Sequence, residues 1–200
     1  MSPRRVDREK KREDILRAAM RVFARQGVYE FKIIDIAKQA GIGKGTIYEY
    51  FERKEALING CMELFMQDFV DYVGASGSET DDPRETIRQF ITSTFDFFAD
   101  DQSRLQMIFD LWSVTRGELR ERPDSGQRLH YTEARDLVVS AIDRGIRSGL
   151  FRETEPTIAA SVILASLDGV LFQAALGITN IHDRRFAAGM TDFLIRGLIA

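Results

Sequence analysis

Between residues 44 and 51 the chain sets Lys44, Gly45, Thr46, Tyr48, Glu49 and Tyr50 around two apolar residues, Ile47 and Phe51, which stand four apart. On a helix that spacing turns Ile47 and Phe51 to one face and sends the remaining side chains outward. The outward set offers a cation, hydroxyl and phenol tips and one carboxylate. This is chemistry for meeting phosphate oxygens and base edges rather than for making or breaking bonds. Lys44 and Gly45 open the segment, where unpaired backbone N–H groups and the helix dipole can face a phosphate. Gly45 lets the backbone come close to a partner, and a Thr46 methyl or Tyr48 ring can pack on a thymine methyl. Glu49 has two readings. It can accept from a cytosine amino group, or, the favoured reading, pair with Arg53 at i+4.

Such a set needs rigid support, and the preceding residues supply the pattern for it. Ile15, Ala18, Ala19, Val22 and Phe23 recur at helical spacing, with Gly27 as a stop, and Ile33, Ile36, Ala37 and Ala40 form a second, shorter apolar face. Gly41-Ile42-Gly43 makes a corner, and residues 44–51 a third helix. Three helices with a tight glycine turn and a polar-aromatic last member are the parts of a helix-turn-helix reader. The segments IAKQAG (36–41), KGTIYEYF (44–51) and KEAL (54–57) stand in one order and spacing. In them the first quarter of the chain closely resembles the DNA-binding domain of the TetR family of bacterial transcriptional regulators. The resemblance implies that Thr46 and Tyr48 touch backbone and base edges and that Lys54 contacts phosphate. Gly43 takes the place of the family's usual serine cap and Phe31 that of a capping threonine. Ile34 replaces an often basic residue, which leaves Lys32 to supply a phosphate contact. The basic segment 2–12, with Arg4, Arg5, Arg8, Lys10, Lys11 and Arg12, is read either as an arm whose arginines enter a minor groove, part of it beginning the first helix, or as a solvated terminus.

Charge separates along the chain. Residues 1–54 hold 14 Lys and Arg against 8 Asp and Glu, whereas residues 55–200 hold 14 against 23, and no lysine follows Lys54. A basic head on an acidic body is the electrostatic footprint of a protein that meets a polyanion with one end. No uninterrupted apolar run reaches the ~18–20 residues of a membrane span, and the amino terminus lacks the apolar core of a secretory signal. Cytoplasmic localisation without membrane partners is expected. The lone Cys61 excludes an intramolecular disulfide and a multi-cysteine metal site. No catalytic, metal or cofactor motif is visible, and an enzyme is not expected. His130 and His182 read as surface residues.

The expected fold is all-α, with a three-helix DNA-binding domain at 1–54 and a helical effector-binding and dimerisation domain at 55–200. A long helix over 55–70 links the two, and residues 74–83 form a loop. A helix starts at Asp82-Pro83, a shorter one follows with Leu105 to Trp112, residues 116–126 break the pattern, and Leu129 to Ile146 is helical again. Residues 156–177 are apolar around most of the helical circumference. A partner subunit is the natural cover for them, forming a four-helix bundle with residues 184–198 across a two-fold axis, as the family implies. The alternative is a central helix of a monomer. Phe65, Phe69, Phe95, Phe98, Met107, Trp112, Tyr131 and Phe172 are candidates to line a pocket for a small hydrophobic or aromatic effector, against plain core packing. Trp112 and Tyr131 carry polar tips that can orient a ligand. Together these features point to a ligand-responsive regulator that binds double-stranded operator DNA as a homodimer. A helical small-molecule carrier without DNA function is the competing reading.

Overall fold

The computed structural model describes residues 3–76, 80–121 and 126–199, with the side chains at 3–6, 76, 102, 116–121 and 126–130 outside the description. Among these residues the chain is all-α: α1 (Pro3–Gln26), α2 (Ile33–Ala40), α3 (Lys44–Tyr50), α4 (Lys54–Ser76), α5 (Pro83–Ala99), α6 (Gln102–Glu121), α7 (Gly126–Arg147), α8 (Pro156–Ala175) and α9 (Arg184–Arg196). The one extended contact among them is an antiparallel bridge between Phe151 and Ile199. Two compact units result, one from Met1–Met66 with Gln106–Gln127, the other from Gln67–Leu105 with Arg128–Ala200. Helices α4, α6 and α7 contribute residues to both.

In the first unit, the α1 stripe of Ile15, Ala18, Ala19, Val22 and Phe23 is buried with Ile36 and Ala37 of α2 and Ile47 of α3. Phe23 and Phe31 meet ring to ring at 4.7 Å. Gly41 ends α2 in the left-handed conformation, φ 65°. Its N–H donates to the Lys38 carbonyl and that of Ile42 to the Ala37 carbonyl. This paired closure turns the chain sharply and needs a residue without a Cβ.

In the second unit Ile87, Phe90, Ile91, Phe95, Phe97 and Phe98 of α5 are buried, as are Val138, Ala141 and Ile142 of α7 and Ile163, Leu167 and Leu171 of α8. Carboxylates cap three helices here. Asp82 accepts from the Arg84 N–H, Glu155 from those of Thr157 and Ile158, and Asp183 from that of Arg185. Pro83 and Pro156 take first-turn positions, where their missing N–H costs nothing.

Two sequence expectations change. Residues 74–76 continue α4 rather than opening the loop, and the loop's residues 77–79 lie outside the description. Helix α6 is not shorter than its predecessor: it has 20 residues against 17 in α5 and runs through positions 116–121. Those positions are polar but rich in Arg, Glu and Leu, good helix formers, so polarity alone does not stop the helix. The first true breaker is Pro123, in the undescribed stretch 122–125. Helix α8, which has the length and composition to cross a membrane, is two-faced within the single chain. Ala160, Ile163, Leu164, Leu167 and Leu171 are buried, whereas Ile158, Val162, Phe172 and Leu176 just beyond its end are more than half exposed.

Candidate DNA interface

The third helix is held by its two anchors. Ile47 is completely buried and Phe51 nearly so, and the Phe51 N–H donates to the Ile47 carbonyl as the chain leaves the helix. With that face fixed, Lys44, Gly45, Tyr48 and Glu49 are exposed, and Thr46 and Tyr50 half-buried. Lys44 and Tyr48, one turn apart, lie on a common face with the ammonium 6.0 Å from the ring centre. Nothing stands within 4 Å of the place a Cβ would take on Gly45, so this stretch of backbone is open to a close approach. Both α2 and α3 start without a side-chain cap, at Lys32 and Gly43. Helices α5, α8 and α9 begin on carboxylates, whereas α2 and α3 begin on a lysine and a glycine, so the N–H groups of their first two residues meet no side-chain cap, while those of Asp35 and Thr46 donate to the Lys32 and Gly43 carbonyls.

Lys54 does not extend freely. Its Nζ donates to the Phe31 carbonyl oxygen at 3.2 Å and rests 3.9 Å from the centre of the Phe31 ring. Phe31, placed where a capping threonine was expected, is buried against Phe23 and serves as the seat of this lysine. An ammonium has three hydrogens, so a clipped Lys54 keeps donors for a phosphate. Lys32 is exposed, and Ile34 is 41% exposed.

The expected Glu49–Arg53 pair is absent among the described residues. Helix α3 ends at Tyr50, and Phe51 is extended, φ −135° and ψ 106°. The two residues therefore never share the continuous helix that an i,i+4 pair requires. In the basic amino-terminal segment α1 begins at Pro3, so the helix takes in positions 4 and 5 as well as the inner part, while the side chains of Arg4 and Arg5 lie outside the description. Further along, the Arg8 guanidinium sits 5.7 Å over the Tyr50 ring and that of Arg12 5.1 Å over Phe51. Sequence reading missed both contacts. Their signal was the helical spacing of 8, 12, 15 and 19, which carries the apolar stripe of α1 back into arginine.

The effector candidates divide between the units. Phe65 and Met107 are buried and Trp112 half-buried in the first, where Trp112 meets Phe109 edge-on at 6.0 Å. In the second, Phe69 stands 6.1 Å from Phe98 and 5.4 Å from Phe97. Phe97 had not been singled out. Tyr72 joins this cluster, and Arg104 covers Phe97 at 4.3 Å while donating to its carbonyl. Phe95 is buried near Phe186, and Phe172 is 52% exposed on the outer side of α8. Tyr131 donates to Asp168 at 3.4 Å. Burial pushes the Asp168 carboxyl above the usual carboxylate range, against the hydrogen bond from Tyr131. Burial and the adjacent Asp168 push the Tyr131 phenol up as well. Cys61 is buried, its thiol pushed far up by desolvation, so it is a packed apolar side chain rather than a nucleophile. His182 is exposed, and the side chain of His130 lies outside the description.

Two family profiles match. Residues 15–61 fit "Bacterial regulatory proteins, tetR family" and residues 83–199 fit "BetI-type transcriptional repressor, C-terminal". The chain is 31% identical over 178 residues to the HTH-type transcriptional regulator BetI 1 of Chromohalobacter salexigens, spanning 88% of this chain and 84% of that protein. It is 24% identical over 190 residues to BetI of Stenotrophomonas maltophilia, 93% of each. Its fold is similar to that of the transcriptional regulator FadR of Bacillus subtilis in complex with stearoyl-CoA, with a TM-score of 0.72 at 21% identity, covering 93% of this chain and 98% of that one. The carrier reading falls with these matches: the chain belongs to the TetR family of DNA-binding transcriptional regulators, which are not enzymes.

Proposed function

We propose that the protein binds a palindromic operator in the cytoplasm as a homodimer, represses transcription there, and is released by a small hydrophobic or aromatic effector. The observation that carries the DNA part is the division of α3 into a buried face, Ile47 and Phe51, and an open one bearing Lys44, Gly45, Tyr48 and Glu49. Thr46, Lys32 and Lys54 complete the contact set, with Lys54 on a phosphate. The apolar outer side of α8 and Phe193 of α9, 77% exposed, support pairing of two subunits through these helices. Two heads are needed because one offers few base contacts, and paired heads read half-sites about 34–36 Å apart or a multiple of that.

The aromatic residues of α4 and α5 favour an apolar effector, in keeping with the acyl-CoA bound by the structurally similar FadR. An effector that holds the heads at another spacing lowers operator affinity. A coupling of about 1–3 kcal/mol changes it ~5–150-fold. Helix α4, which starts at Lys54 beside the recognition helix and contributes to both units, is the natural lever.

Selection of random duplexes by the purified protein tests this reading. A two-fold-symmetric sequence should emerge, bound with an affinity that falls steeply with salt, and Tyr48→Ala should weaken that binding without dissociating the dimer. Failure to enrich any sequence, or a Tyr48→Ala variant that binds like the parent, refutes it.

A further inference from the structure

We propose that Arg8, seated on the ring of Tyr50, is a phosphate-contacting residue of the DNA interface, and that Tyr50 is the platform that positions it. The inference rests on the DNA reading above and adds a residue and a division of labour to it. Positions 8, 12, 15, 19 and 22 follow one another at alternating steps of four and three, so they form one stripe of α1. From Ile15 to Val22 this stripe is buried. At Arg12 and Arg8 it turns basic, and both side chains come to rest on the end of the recognition segment, over Phe51 and Tyr50.

The two arginines then differ. Arg12 lies 4.0 Å from Glu63, so part of its charge is answered within the unit. Arg8 is exposed, and among the described residues no carboxylate pairs with it. A guanidinium lying on an aromatic face has one side desolvated while its N–H edges, five donors in a fixed plane, stay open. A planar fork with its rotamer already restrained is suited to a phosphate, which it can hold through two parallel hydrogen bonds. The location fits as well. Tyr50 lies one turn beyond Thr46 on α3, so Arg8 extends the candidate interface past the carboxy-terminal end of that helix. Tyr50 itself is half-buried under the arginine, a poor position for reading a base. Helix α1, ordered from Pro3, therefore presents Arg8 as a fixed clamp on the sugar-phosphate backbone and not as part of a loose arm.

The test uses the full-length protein and the duplex that the parent enriches from a random pool, with fluorescence anisotropy titrations across a series of salt concentrations. Arg8→Gln should make the slope of log affinity against log salt shallower by about 0.9 per head, or about 1.8 for two heads. Arg147→Gln, which removes a charge from the other unit, should leave the slope unchanged. Tyr50→Phe should bind as the parent, whereas Tyr50→Leu should lose several-fold in affinity at fixed salt while keeping the parent slope, since Arg8 is still present but no longer held. A parental slope for Arg8→Gln overturns the phosphate contact. Parental affinity for a folded Tyr50→Leu overturns the platform. If the parent itself binds no duplex, the DNA reading fails, and this inference with it, a result distinct from either of those.

Discussion

Phe193 offers the sharpest test of subunit pairing. It projects from α9 with 77% of its surface open, and a Phe side chain buries roughly 150–250 Å² when covered. At about 25 cal/mol per Å², covering the open part gives at most about 3–5 kcal/mol per copy. Association never returns the full area term, because ordering and desolvation oppose it, and about 2 kcal/mol is a fairer figure for a central aromatic anchor. A two-fold interface uses each residue twice, so Phe193→Asp should cost about 4 kcal/mol in all, roughly a thousandfold in the dimer dissociation constant. Burying two carboxylates near the axis adds to that. Sedimentation at protein concentrations from nanomolar to micromolar should show the parent paired and the variant largely single. Tyr29→Asp, an equally drastic change at a residue 57% exposed in the first unit, should leave association as it was. If Phe193→Asp sediments with the parent at every concentration, the outer faces of α8 and α9 are not the pairing surface, and the two-headed operator reading loses its support.

Two further outcomes concern the second unit. A Cβ on Gly145 would stand 2.0 Å from Cδ2 and 2.3 Å from Cε2 of Phe151, a ring that is itself buried, so Gly145→Ala should destabilise by about 1–3 kcal/mol despite the better helix propensity of alanine. Gly74→Ala, with nothing within 4 Å, should stabilise by roughly 0.5–1 kcal/mol; urea midpoints decide, and a stabilised Gly145→Ala refutes the packing. Because burial raises the Asp168 carboxyl, the folded state holds its proton more tightly than the unfolded chain, and this group's contribution falls as pH rises from the unfolded value, about 3.9, through the raised folded one. Asp168→Asn should therefore match the parent near and below that unfolded value and exceed it at neutral pH. A gain that is constant with pH, or larger in acid, contradicts the assignment.

How far the sequence could be read depends on how local the determining interactions were. The division of α3 follows from spacing alone, because Ile47 and Phe51 lie four apart on a short helix and nothing distant competes for them. The carboxylate start of α5 was legible for the same reason, since the Asp82 side chain reaches the backbone two residues on. Periodicity also gave the all-α class. Extents were less legible: the stretch 116–121 looks like a break because its residue pattern carries no apolar period, yet its backbone propensity keeps it helical. Contacts between separate helices were the least visible. The seat of Lys54 on Phe31 joins residues 23 apart, and Arg8 reaches Tyr50 across 42 positions of chain. In one dimension Arg8 reads as one arginine of a basic arm and Lys54 as a phosphate-contacting lysine through the family resemblance; only the fold turns the first into a held fork on Tyr50 and the second into an ammonium clipped to Phe31. Glu49 errs in the other direction. Its i+4 partner exists in the sequence, but the helix ends before Arg53 is reached, so the carboxylate stays open at the interface. On the proposed docking, an exposed Glu49 would select by repulsion as much as by attraction: a duplex that gives it no donor, such as a cytosine amino group, would place a bare charge against phosphates.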